Sequence, residues 1–163
     1  FAFLFRASDI QQKGKFLTRE ILSQRGPYAL ALLRLDRLAA APGSRDYGLL
    51  SATAQLYARV EKLFTLPPAA FNPPPKVHSS VVRLTIEPRL DELKVPDAEF
   101  INFLKLSFGQ KRKTLWNNLK TQYDGEVLKA ALAAAGIKPT VRAEALPLEK
   151  SAVLFRALHD GMA

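Results

Sequence analysis

Apolar positions at Phe1, Phe3, Leu4 and Phe5 open the chain, and Ile21 and Leu22, then Leu30, Leu33 and Leu38, continue at short helical steps. This spacing predicts a mostly helical stretch to about Ala41, interrupted at Gly26-Pro27. Pro42-Gly43-Ser44-Arg45-Asp46-Tyr47-Gly48 is a loop by composition, and residues 51–60 read as a short helix with Ala54, Leu56, Tyr57 and Val60 turned inward. Two short apolar or β-branched runs follow, 60–66 and 80–86; they predict strands that pair antiparallel across an irregular proline-rich connection. Residues 88–96 read as a linker.

From there to the end the pattern predicts four helices. The first starts at Asp97 as N-cap, carries Phe100, Phe103, Leu104 and Phe108 on one face and ends at Gly109. The second covers about 113–123, and the third 126–135, with Gly136 in the position of a left-handed C-cap. The last begins near Pro147 and turns Leu148, Ala152, Phe155 and Leu158 inward. The layout is a β-containing piece followed by a small helical part, with neither internal repeats nor low-complexity tracts.

Length and charge narrow the class. A chain of 163 residues holds one domain, or one domain and the remnant of another, and is long enough to bury a real core. With no cysteine there is no disulfide framework and no thiolate site, and two isolated histidines, His78 and His159, cannot build a structural zinc site. A reducing, cytoplasmic compartment fits this composition, and no apolar run reaches the roughly 20 residues that span a bilayer. The 24 Lys and Arg against 15 Asp and Glu give a net charge of +9, which favours a polyanionic partner such as nucleic acid. Divided at Pro96, both parts are basic, so the charge is a shared surface and not a tail. Phe1 in place of a start methionine, and the apolar opening behind it, predict further chain upstream.

Three strings carry candidate chemistry. In Phe71-Asn72-Pro73-Pro74-Pro75-Lys76-Val77 three successive prolines fix φ and remove three donors, making a stiff wall that can hold Phe71 at a set angle. The string can be a rigid crossover between two strands. It can also be read as the Asn-Pro-Pro-aromatic tetrapeptide of amino-group methyltransferases, although Pro75 stands where the aromatic belongs. In residues 108–118 a break at Gly109 precedes three adjacent cations, Lys111, Arg112 and Lys113, at a predicted helix start. Cations there oppose the helix dipole, which a bound phosphate backbone would offset; a solvated helix start is the alternative. The third string, Arg142-Ala143-Glu144, reads as a local ion pair at the entry to the last helix.

Residues 42–48 (PGSRDYG), 64–84 (FTLPPAAFNPPPKVHSSVVRL), 110–115 (QKRKTL) and 142–144 (RAE), in this order and spacing, resemble the second half of the ribosomal RNA small-subunit adenine dimethyltransferases, the KsgA family. The resemblance covers about residues 36–160. It implies an α/β fold: the C-terminal portion of a Rossmann-like S-adenosylmethionine-dependent methyltransferase domain, here 1–90, followed by a small all-helical domain, here 97–163. It implies transfer of two methyl groups from S-adenosylmethionine to N6 of adjacent adenines of small-subunit rRNA, with rRNA or a 30S-type subunit precursor as partner, by a cytoplasmic monomer. Residues 1–35 match poorly. The family's Gly-x-Gly-x-Gly cofactor loop has no counterpart, since no two of the eight glycines lie closer than five residues, and its Asn-Leu-Pro-Tyr tetrapeptide is missing, leaving only Arg25-Gly26-Pro27-Tyr28. A truncated or incomplete chain and a degenerate paralogue all fit this departure.

Carried over residue by residue, Phe71 matches the aromatic that stacks on the extruded target adenine. Lys76 lies beyond the proline wall, where a phosphate could meet it, and Lys111, Arg112 and Lys113 match the basic helix start that grips rRNA backbone. Arg45 and Tyr47, in the loop before the helix at Ser51, are further RNA-contact candidates. No catalytic and no cofactor-binding residue can be assigned. Against this enzyme stands a catalytically silent RNA-binding or ribosome-assembly module of the same family. More distant is a DNA-binding helix-turn-helix in 97–123, because cations follow the Gly109 break where a recognition helix needs another pattern.

Overall fold

The computed structural model describes residues 28–33 (backbone), 37–70 and 79–160. Strand β1 (Tyr28–Leu33), helix α1 (Leu49–Tyr57), strand β2 (Ala58–Leu66) and strand β3 (Ser79–Ile86) make the first part. They form a three-stranded sheet in the order β1-β3-β2, both pairings antiparallel. The expected pairing of 60–66 with 80–86 is present, from Ala58 opposite Ile86 to Leu66 opposite Ser79. The register slips between Lys62 and Phe64, so Leu63 is a bulged residue. On β3, Ser80, Val82 and Leu84 are buried while Arg83 is exposed, the two-residue period of a sheet with one covered face.

Two expectations fail here. Leu30 and Leu33 lie on a strand and not on a helix. Residues 28–33 form a short, nearly continuous apolar run, whose periodicity does not separate helix from buried strand, and pairing with β3 decides the outcome. The helix expected over 51–60 runs from Leu49 and stops at Tyr57. Its start is set by Ser51, whose hydroxyl accepts from the Gly48 N–H at 3.1 Å and donates to the Arg37 carbonyl. Its end is set by the sheet, which takes Ala58 and Arg59 into register with Ile86 and Thr85.

The second part holds a single turn α2 (Leu90–Leu93) and helices α3 (Asp97–Ser107), α4 (Leu115–Leu119), α5 (Gly125–Ala134) and α6 (Leu148–Asp160). The segment read as a linker is therefore partly helical, and Leu93 and Val95 enter the core. Burying two apolar side chains outweighs the weak helical preference of so short a stretch. On α3, Asp97 is the first helical residue and not the N-cap, which is Pro96; its carboxylate accepts from the Tyr57 hydroxyl and ties the start of α3 to the end of α1.

Helix α5 matches its prediction closely. Asp124 caps it by accepting from Glu126 N at 2.9 Å and Val127 N at 3.4 Å. Gly136 closes it at φ 63°, with Gly136 N donating to Ala133 O and Ile137 N to Leu132 O, a Schellman ending that buries Ile137. On α6, Leu148, Ala152, Phe155 and Leu158 are buried as expected. Phe155 meets Phe100 and Phe103 edge-on at 5.4 and 5.5 Å, and the two α3 rings stack at 6.0 Å. One apolar cluster runs from these rings to Ala40, Tyr47, Ala52 and Leu56, so the 40–57 segment shares its core with the helices. No helix among the described residues is long and apolar enough to cross a membrane.

Candidate nucleic-acid interface

Three of the four strings singled out in the sequence lie far apart along the chain, and the fold brings them to one place. The loop 42–48 is wound by two tight turns, with Ser44 N donating to Ala41 O at 3.1 Å and Tyr47 N to Ser44 O at 3.2 Å. Gly43 sits at φ 84°, where a Cβ is strained, and in that conformation its N–H reaches Glu144 O at 2.7 Å. This joins the loop to the Arg142-Ala143-Glu144 string, a 3-10 turn over Ala143–Ala145. The string is fastened in turn to α4, because Leu115 N donates to Val141 O at 2.7 Å.

The basic run completes the junction. Gly109 N donates to Leu106 O at 3.1 Å and ends α3, and Lys113 N donates to Gln110 O at 3.0 Å, so 110–113 is a closed turn. Lys111, Arg112 and Lys113 are exposed on it. Their placement corrects the expectation of a cationic helix start. Thr114 is the N-cap, its hydroxyl accepting from Asn117 N at 3.3 Å, and the cations precede the helix. Their opposition to the short helix's dipole is correspondingly weaker.

Lys111 Nζ donates to the main-chain oxygen of Arg45 at 3.0 Å, which brings the exposed Arg45 beside the basic turn. Arg142 stands near its own Glu144, Nη1 to Oε1 at 3.9 Å, the local pair its spacing predicted. Around one junction the surface thus carries Arg45, Lys111, Arg112 and Lys113. Closely spaced cations on a closed turn suit successive phosphates of a nucleic-acid backbone, which such side chains contact without reading bases.

Tyr47 has a different role from the one expected. It is 1% exposed, and its ring meets Phe108 edge-on at 6.1 Å. Burial, with a smaller push from Glu149, raises its phenol to about 12. Tyr47 packs the loop against the end of α3 and presents no surface for RNA. Phe71 and Lys76 lie outside the described residues, as do Asn72 to Pro75.

Asn118 was missed in the sequence. It is 7% exposed on α4, and its Nδ2 donates to Ser107 O at 2.7 Å and Gln110 O at 3.3 Å. An Asn inside a helix is a mild signal of such work, since its side chain competes for backbone groups. An open groove of about 550 Å³ lies between Ala39 to Pro42, at the start of the 42–48 loop, and the start of β2. Several of its polar groups are engaged internally: Gln55 Nε2 donates to Leu38 O and Ala40 O, and Arg89 pairs with Glu92 and Glu149 at 2.8 and 2.7 Å.

Comparison with known proteins places the chain among relatives of known family. The Ribosomal RNA small subunit methyltransferase A of Koribacter versatilis is 60% identical over 126 residues, covering 77% of this chain and 44% of the relative. That of Myxococcus xanthus is 42% identical over 146 residues, covering 85% and 52%. The chain spans about half the length of these curated relatives. Among solved structures, a dimethyladenosine transferase from Plasmodium falciparum superposes with a TM-score of 0.66 at 21% identity, over 93% of this chain and 64% of that one. The 23S rRNA methyltransferase ErmE does so at 0.64 and 22% identity, over 98% and 65%. The fold is therefore the α/β one expected, part of a Rossmann-like methyltransferase followed by helices. The family described as Ribosomal RNA adenine dimethylase matches residues 33–160, and the chain belongs to it.

Proposed function

We propose that this chain is the C-terminal part of an rRNA adenine N6,N6-dimethyltransferase, which moves methyl groups from S-adenosylmethionine to adjacent adenines of small-subunit rRNA. The observation that carries this reading, beyond family membership, is the junction that gathers Arg45 and the 111–113 turn into one exposed cationic surface. In it, Arg45, Lys111, Arg112 and Lys113 hold the phosphate backbone, and Lys76 adds a contact beyond the proline wall. Phe71 stacks on the extruded adenine, repaying part of the few kcal/mol that extrusion costs. The protein acts as a cytoplasmic monomer, and residues 1–90 and 97–163 are the two domains.

The described residues do not fit the methyl donor. Their glycines are Gly43, Gly48, Gly109, Gly125 and Gly136, and none follows a strand end as a cofactor loop requires. Among the described residues none is placed to hold S-adenosylmethionine. Methyl transfer belongs to the complete protein, and calorimetric titration of the 163-residue chain with the cofactor should give no heat of binding. Micromolar binding would overturn that part.

The absence of a glycine-rich loop from the sequence also favours a second reading, a catalytically silent RNA-binding or ribosome-assembly module. The reading frame upstream separates the two. A Gly-x-Gly-x-Gly strand-turn and an Asn-Leu-Pro-Tyr tetrapeptide there support the enzyme; a start codon near Phe1 supports the module. RNA binding, common to both, is tested by replacing Lys111, Arg112 and Lys113 together with Ala. The dependence of log K for small-subunit rRNA on log salt should become shallower by about 3 to 4, one for each lost cation and up to one more for Arg45, which Lys111 ties to the turn, with little change in melting temperature. An unchanged affinity and slope would reduce the run to a solvated turn.

A further inference from the structure

The turn that carries Lys111, Arg112 and Lys113 buries none of its own side chains: residues 109–113 are all exposed. Its shape must come from its backbone groups and from what holds them. Two of its fastenings are local, Gly109 N to Leu106 O and Lys113 N to Gln110 O. A third joins it to the neighbouring loop, Lys111 Nζ to Arg45 O, and a fourth comes from the interior. Asn118, one turn into α4, donates through Nδ2 to Ser107 O at 2.7 Å and to Gln110 O at 3.3 Å. The two carbonyls bracket residues 108–109, where the chain leaves α3 and swings outward. One carboxamide therefore sets both the end of α3 and the beginning of the basic turn. Asn118 is itself fixed, since its N–H donates to Thr114 O at 3.1 Å and its carbonyl accepts from the Thr121 hydroxyl at 2.9 Å.

Resting on the reading of 111–113 as the RNA grip, we propose that Asn118 is a positioning residue of that grip, holding the turn so that its cations face the phosphate backbone together. Asn118 touches no RNA and carries no charge. A buried donor pair with two carbonyl partners rigidifies what it joins, and cations on a preorganised turn lose less freedom on binding than cations on a mobile one.

The test is a double-mutant cycle on the full chain, read as binding to small-subunit rRNA across a salt series. Asn118→Leu keeps the branched side-chain shape and the net charge but removes both donors. It should weaken binding about tenfold and make the salt slope shallower by about 1, although no cation has been removed. Placed on the Lys111, Arg112 and Lys113 triple alanine variant, it should add nothing further, because the groups it positions are gone. A residue with a merely structural role would give equal losses in both backgrounds, and that additive result would overturn the proposal. Asn118→Ser serves where the leucine variant folds poorly, and melting curves normalise binding to folded protein. A triple variant that loses binding while both Asn118 variants keep it overturns the positioning role alone. Unchanged binding by the triple variant overturns the RNA reading of the turn and the positioning role with it.

Discussion

The Lys111 ammonium donates to the main-chain oxygen of Arg45 at 3.0 Å across 66 residues of sequence. Lys111 is thus both a cation of the basic turn and the tie that brings a second segment to it. Truncating it removes one charge and also releases the Arg45 main chain from the turn, while Gly43 and the buried Tyr47 still hold the rest of the loop. Lys111→Met should therefore lower the salt slope of RNA binding by about 2, where Lys113→Met lowers it by about 1. Arg45→Ala added to Lys111→Met should cost less than Arg45→Ala alone. Equal slopes for the Met variants at 111 and 113 would show that the tie does not set Arg45.

Gly43 and Gly48 lie five residues apart in the same loop, and both have open space where a Cβ would stand. They differ in backbone: Gly43 is at φ 84° and Gly48 is extended. Gly43→Ala should cost about 1 to 2 kcal/mol in urea unfolding, from the left-handed penalty alone. Gly48→Ala should stay within about 0.5 kcal/mol of the parent. Equal effects would mean that the φ at Gly43 does not control the loop.

How far the sequence reveals this fold follows from where each determinant lies. Helices α5 and α6 are legible because their determinants are local: Gly136 and the Leu148 to Leu158 stripe act within a few turns, although Asp124, which sequence alone offers equally as the end of the preceding helix, proves to be the α5 cap. Strand β1 is not, because Leu30 and Leu33 suit either structure and the choice belongs to β3, some fifty residues away. The basic run could be found by composition, whereas Asn118, which shapes it, looks like any polar helix residue until Ser107 and Gln110 are seen beside it. Tyr47 was misread for the same reason. A tyrosine between Asp46 and Gly48 looks like a surface residue, and only Phe108 and the surrounding core make it an interior one.

Tyr47 predicts an alkaline limit to stability. Its phenol titrates near 10.0 when unfolded and about 12 when folded, chiefly because burial disfavours the charged form. A raised folded value for an acid means that the folded state keeps its proton while the unfolded state loses it. The stabilisation is therefore complete below pH 10 and declines as pH rises toward 12. Tyr47→Phe should flatten the part of the alkaline denaturation curve in that window, leaving whatever Tyr57 and Tyr123 contribute. Tyr47→Ala should instead cost about 3 to 5 kcal/mol at neutral pH, by opening a cavity against Phe108. Identical alkaline curves for the parent and the Phe variant would show that Tyr47 ionises as freely folded as unfolded.

At the acid end the determinant is Arg89, at the join between the sheet and the helices. Its guanidinium donates to Glu92 Oε2 and Oε1 at 2.9 and 2.8 Å, and to Glu149 Oε1 at 2.7 Å, so the start of α6 is held to the segment before α2. The Arg89 hydrogen bonds hold the Glu92 carboxyl below its ordinary value of 4.5. At Glu149 partial burial pushes upward, and the bond and charge of Arg89, helped by a backbone hydrogen bond, prevail, so that carboxyl is also lowered. A depressed folded value means that the stabilisation is present above the unfolded carboxylate range and disappears as pH falls through the folded values. Both carboxylates are largely open to water, so the effect is modest and salt should screen it. Arg89→Met keeps much of the stem and removes the charge. It should lower stability at pH 7, converge on the parent as pH drops well below 4.5, and lose its difference from the parent in high salt. Urea unfolding from pH 7 to pH 3 at low and high salt measures this, and a constant gap between the two proteins at every pH would show that Arg89 acts through packing and not through its carboxylates.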